Sequence, residues 1–165
     1  MTERERCVAL LSGGLDSAVA CAIAKKQGLE LYALTIDYGQ RNRLEIEAAE
    51  KLAAFLGARE HVVLKVPFGQ IAESALTTEG ISVPLDRDEG ELKADIPPTY
   101  VPARNIIMLS LACSWAESIG ARYVFTGFNA VDYSGYPDCK PEFVRAFEQV
   151  LEVGTKAGTL GKPVR

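Results

Sequence analysis

The chain has 165 residues, about one domain on the usual prior of roughly 150, and it is long enough to bury a core without staples. Apolar residues make up 48% and charged residues 24%, which excludes a disordered or fibrous chain. The net charge of −4 excludes a broad basic face and argues against direct nucleic-acid binding, but one helix N-terminus or arginine is enough to hold a small anion.

No window approaches about 18 uninterrupted apolar residues, so no membrane contact is expected. The charged start Met1–Arg6 lacks the apolar stretch of a secretory signal. Of the four cysteines, Cys7, Cys21 and Cys113 lie in apolar runs, Cys139 lies in a loop, and none forms a Cys-x-x-Cys pair. Reduced thiols and a cytoplasmic setting are the expectation.

Strands are expected at Cys7–Leu11, Leu31–Asp37, His61–Val66 and Tyr123–Phe128, all short and apolar enough to be buried on both faces. Helical patterns fall between them. Ser17–Gln27 stops at Gly28, and Arg41–Leu56, with Leu44, Ala48, Leu52 and Phe55 on one face, stops at Gly57. Asn105–Ile119 is apolar nearly all round, the mark of a buried helix, and stops at Gly120. A glycine at each helix end is the left-handed C-cap signature. A fourth helix starts at Pro141, a favoured first-turn residue, with Phe143, Phe147, Val150 and Leu151 inward. This alternation predicts an α/β fold, a doubly wound parallel sheet over residues 1–165 as a single domain. Its ligand site falls at the carboxyl ends of the strands.

Pro67–Arg104 breaks the rhythm with five prolines and no clear period, and reads as a long loop or lid. Lys162–Arg165 looks like the start of a fifth strand, so Tyr123–Phe128 is expected to be an open edge and the chain to be a fragment of a longer one. His61, the only histidine, reads as a structural residue.

Ser12-Gly13-Gly14-Leu15-Asp16-Ser17 follows a strand and opens a helix. Two glycines let the backbone approach a ligand, successive N–H groups form an anion nest, and Ser12 and Ser17 add hydroxyls. The Walker spacing and its lysine are absent. Asp16 beside phosphates implies an intervening Mg²⁺. An ordinary strand–helix turn, with Asp16 or Ser17 as N-cap, is the other reading of these residues.

This loop resembles the pyrophosphate loop of the N-type ATP pyrophosphatase superfamily, whose fold is adenine nucleotide alpha hydrolase-like and Rossmann-like. Four further stretches narrow the resemblance: Asp37–Arg41, Tyr100–Asn105, Gly127–Cys139 and Thr155–Gly158. Together they resemble the 7-cyano-7-deazaguanine synthase family of queuosine biosynthesis. The resemblance implies a carbon–nitrogen ligase. ATP adenylates 7-carboxy-7-deazaguanine, ammonia displaces AMP to give the amide, and a second ATP drives dehydration to the nitrile. A related enzyme that modifies tRNA or protein, and a nucleotide-binding subunit without catalysis, are the alternatives.

The resemblance also implies roles. Leu10, Leu11, Ser12, Gly13, Gly14, Leu15, Asp16, Ser17, Asp37, Tyr38, Gly39 and Gln40 would hold ATP, with Asp16 meeting Mg²⁺ indirectly. Asp16, Arg104 and Lys156 would serve catalysis. Arg104, Asn129, Asp132, Tyr133, Tyr136 and Asp138 would bind the substrate. Carboxylates suit the N1–H and amino edge of a guanine analogue, tyrosines its ring, and a guanidinium a carboxylate or phosphate. Arg104 in a structural ion pair, Lys156 as a solvated helix-end residue and the Tyr/Gly/Pro/Asp run as plain turn chemistry remain open on the residues alone. Family members bind zinc through four C-terminal cysteines that this sequence does not contain, so Zn²⁺ is expected for a full-length form only. A homodimer is expected.

Overall fold

The computed structural model describes residues 4–39, 44–70, 100–128 and 136–165. Strands β1 (Arg6–Leu10), β2 (Glu30–Asp37), β3 (Glu60–Lys65) and β4 (Tyr123–Phe125) form one parallel sheet in the order β3-β2-β1-β4. Helices α1 (Leu15–Lys26), α2 (Leu44–Phe55), α3 (Arg104–Ile119), α4 (Pro141–Gly154) and α5 (Lys156–Thr159) complete it.

The side chains of β1 alternate between two cores. Cys7, Ala9 and Leu11 pack with Cys21 and Ala24 of α1 and Ala49 and Ala53 of α2. Val8 and Leu10 pack with Leu109, Ala112, Cys113 and Ala116 of α3 and Leu151 of α4. A sheet covered on both faces is the doubly wound arrangement expected, and the strand order reverses between β1 and β4. Gly28, Gly57 and Gly120 stand at positive φ behind their helices, as the sequence implied.

Several expectations are corrected. The inward face of α2 is Ala49, Leu52, Ala53 and Leu56, whereas Leu44 and Phe55 are 68% and 85% exposed. Helix α3 is half-buried rather than enclosed: residues 109, 112, 113 and 116 face the sheet, and Ile106 is 41% exposed. On α4, Phe143, Phe147 and Leu151 pack inward, but Val150 is exposed. Strand β3 lies at the sheet edge and is largely exposed, with only β2 beside it. The fourth strand stops at Phe125, because Gly127 turns in against the first turn of α1. Its outer side is not bare. Arg165 donates to the Arg122 carbonyl (2.9 Å) and accepts from the Val124 N–H (2.7 Å), a parallel bridge opposite Tyr123, while Val164 is buried. The segment read as a long loop is anchored at both described ends. Phe68, in a 3-10 turn, is fully buried, and so nearly is Val101. Residues 71–99 lie outside the described ones.

Among the described residues no helix is long and apolar enough to cross a membrane. Burial pushes Cys7 and Cys21 up to about 11 and Cys113 up to about 12, which keeps all three protonated at neutral pH.

Candidate functional site

A cleft of about 380 Å³ opens at the switch point, between the loop after β1 and the chain leaving β4. The Ser12–Ser17 loop forms its floor through a closed hydrogen-bond circuit. The Ser12 hydroxyl accepts from the Gly14 N–H (3.3 Å) and donates to Ser17 Oγ (3.1 Å). Ser17 Oγ also accepts from the Ser12 N–H (3.2 Å) and donates to the Gly14 carbonyl (2.8 Å). Gly14 itself is the N-cap residue and no side chain caps α1, so neither Asp16 nor Ser17 takes that part. The first-turn N–H groups thus lack intrahelical acceptors and face the cleft with the positive end of the helix dipole.

Gly13 serves a different end from the one its position suggests. At φ +88° its missing Cβ makes room for the carbonyl of Glu45 and, at 3.1 Å, the N–H of Ala49. The close approach is to α2. From the other side Gly127 presses on α1: a Cβ there would stand 2.6 Å from Ser17 N and 2.7 Å from Asp16 C.

Tyr38, Arg104 and Tyr136 close the opposite wall. The Arg104 guanidinium carbon lies 5.8 Å from the centre of the Tyr38 ring, a cation–π placement. Burial raises the Tyr38 phenol above its ordinary value, opposed by Arg104, so the ring stays neutral. Among the described residues no carboxylate pairs with Arg104. Arg104 follows Ala103, whose φ of 56° is the one positive value on a non-glycine among the described residues. The turn into α3 is therefore strained beside the one guanidinium that lines the cleft among the described residues.

Of the residues singled out from sequence, Leu10, Leu11, Ser12, Gly14, Leu15, Asp16, Ser17, Tyr38, Arg104 and Tyr136 line the cleft. Gly13, Asp37, Gly39, Lys156 and Asp138 do not. Asp37 accepts from the Gly39 N–H (3.2 Å), an Asx turn shaping the end of β2. Lys156 is exposed at the start of α5. Asp138 is 5% exposed, and its Oδ2 accepts from the Asn105 N–H at 3.2 Å. Gln40, Asn129, Asp132 and Tyr133 lie outside the described residues.

Sequence reasoning missed Thr35, Glu45, Asn105 and Thr126, all in the cleft wall. Thr126 Oγ1 is buried with no hydrogen-bond partner among the described residues. Thr35 donates to the Leu11 carbonyl (2.6 Å) and so receives a proton from His61 Nε2 (2.8 Å), which ties the end of β1 to β3. That makes His61 structural, as expected.

Among the described residues, Asp16 and Glu45 are the carboxylates of the cleft wall. One or two carboxylates completed by phosphate oxygens and water suit Mg²⁺. Among the described residues no three His, Cys, Asp or Glu side chains gather into a metal site, and zinc has no donor set there.

A parallel sheet with an open helix N-terminus at its switch point defines an α/β nucleotide-binding domain of the pyrophosphate-loop kind. Residues 6–164 match the family model for queuosine biosynthesis protein QueC, and the chain belongs to that family. It is 55% identical over 163 residues to a 7-cyano-7-deazaguanine synthase from Azoarcus sp. (strain BH72), covering 99% of this chain and 70% of that one. A synthase of the same name from Anaeromyxobacter dehalogenans (strain 2CP-C) is 52% identical over 164 residues, with 99% and 70% covered. Among solved structures, a predicted tRNA methyltransferase subunit from Methanocaldococcus jannaschii aligns with a TM-score of 0.51 at 20% identity, over 87% of this chain and 63% of that one. At that identity the likeness speaks for the fold alone.

Proposed function

We propose that the cleft is the active site of an ATP-dependent ligase that converts 7-carboxy-7-deazaguanine and ammonia to 7-cyano-7-deazaguanine. The observation that carries this is the pairing, in one cleft, of the uncapped first-turn N–H groups of α1, Leu15–Ser17, with an Arg104 guanidinium that has no carboxylate partner among the described residues. The first holds a pyrophosphate; the second receives a carboxylate or the phosphate being attacked.

A carboxylate is a poor electrophile because oxide and hydroxide leave badly at neutral pH. Attack of its oxygen on the α-phosphorus of ATP forms an acyl–AMP bond and releases pyrophosphate. Ammonia then displaces AMP and yields the amide. A second adenylation, now of the amide oxygen, lets AMP depart as the nitrile forms. The chain's contribution is placement and charge neutralisation. Asp16, with Glu45 also in the cleft wall, would hold Mg²⁺, which would supply neutralising charge to the phosphates. The Tyr136 ring offers a face for the deazapurine, with Asn129, Asp132 and Tyr133 proposed alongside it. Asp138 supports that wall from behind, and Lys156 is proposed as a further phosphate charge. A cytoplasmic homodimer is proposed from the family resemblance.

The test is pyrophosphate release that requires 7-carboxy-7-deazaguanine, followed in the wild type, Asp16→Asn and Arg104→Ala. Removing one charged contact to the developing transition state is expected to lower kcat/KM by about 10² to 10³-fold. ATP binding with no turnover in the wild type would leave a nucleotide-binding protein instead.

A further inference from the structure

Asn105 directly follows Arg104 in the first turn of α3, and it is 3% exposed. Besides the bond from its N–H to Asp138 Oδ2, its Nδ2 donates to the Asp138 carbonyl (3.4 Å) and to Cys139 Sγ (3.3 Å). The partners fix the amide's orientation, because the reverse placement would set Oδ1 against a carbonyl oxygen.

Ala103, the N-cap residue of α3, has no side-chain acceptor to offer the first turn. Asp138 supplies one from 33 positions along the chain, out of the Pro137–Cys139 turn. This clasp joins two segments of the cleft lining: Arg104 and Asn105 from the start of α3, Tyr136 and Cys139 from the turn before α4. A second tie runs beside it. The Ala103 N–H donates to the Tyr100 hydroxyl (3.2 Å), and the Tyr100 ring stands 6.1 Å from that of Tyr136. A buried residue with three bonds in a helix's first turn, two from its side-chain amide and one from its backbone, fixes direction as well as filling space, since each bond is lost if the turn rotates.

We infer that Asn105 is a positioning residue: its grip on the Pro137–Cys139 turn sets the direction in which Arg104 leaves α3, and so the place where the guanidinium meets its anion. What that anion is rests on the ligase reading above. The grip itself does not.

A double-mutant cycle tests it, with Asn105→Ala and Arg104→Ala made singly and together. Loss of Asn105 alone is expected to lower kcat by about tenfold, since misplacement by an ångström costs up to 10²-fold, with KM for ATP within about twofold. In the Arg104→Ala background the same loss is expected to change kcat less than about twofold. An equal loss in both backgrounds overturns the inference, because a merely structural role does not depend on Arg104. Thermal melting identifies any variant that does not fold. Asn105→Ser, which also removes both Nδ2 bonds but leaves a hydroxyl in the buried site, then replaces Asn105→Ala and is judged the same way. If the wild type releases no pyrophosphate, the ligase reading fails by itself. The cycle is then scored on ATP and 7-carboxy-7-deazaguanine affinities by calorimetry, where absence of coupling for both ligands overturns the inference.

Discussion

His61 shows how one side chain can bind the sheet to a site it never touches. Its Nε2–H donates to Thr35 Oγ1, whose own O–H donates to the carbonyl of Leu11, the residue before the loop. Burial lowers the imidazole's pKa below the ordinary 6.5, with Glu50 pulling weakly the other way. Between that lowered value and 6.5 the unfolded chain binds a proton that the folded one refuses, so stability falls as pH drops through this window. In His61→Gln, which keeps a donor but cannot titrate, part of the stability loss between pH 7.5 and 5.5 should vanish. Urea unfolding of both proteins at both values checks this, and identical losses would refute it. At this scale the sequence was legible where chemistry is local: Asp16, Ser17 and Arg104 stand where their residue types and spacing put them. It was illegible where the partner is distant. Asp138 has a residue type suited to a guanine edge, yet its carboxylate accepts from Asn105, a contact no local pattern encodes.

Elements fix these residues by meeting at close range. The turn after β4 lies flat on the first turn of α1 because position 127 carries no side chain. Gly127→Ala would drive a methyl into the backbone of Asp16 and Ser17, neither of which can yield as a side-chain tip could. Overpacking of this kind costs about 1–3 kcal/mol, and it pushes at the anion nest itself. A lowered melting temperature together with weaker ATP binding is expected in calorimetry; an unchanged pair of values would mean that the two elements do not touch. Element types and order were readable from period and punctuation, since apolar runs, helix-stopping glycines and Pro141 are local signals. The rotation of α2 was not. Leu44 and Phe55 are more apolar than Ala49 and Ala53, but where α2 closes on Gly13 there is room only for small side chains, Ala48 and Ala49. Volume overrides hydrophobicity there.

Across the whole molecule, the β3-β2-β1-β4 order concentrates chemistry at one seam. The doubly wound class followed from the alternation of elements, and the location of the site followed from the class. Lys162–Arg165 read as the start of a strand, but its pairing with β4 through Arg165 did not follow, because a strand's own pattern does not name its neighbour. The same strand order also bears on time. Cys7 pairs with Leu31 on one side and with Tyr123 on the other, so the second pairing closes a far longer stretch of chain and costs more entropy. The half of the sheet from β3 to β1 can form early; the seam that makes the cleft closes late. Amides of β4 should therefore exchange with deuterium through a lower-energy opening than those of β2, and ATP should narrow the gap. Equal protection without ligand would contradict this. The cleft is thus the youngest part of each newly folded molecule, and a nucleotide spanning it acts as the latch on the final stage of assembly.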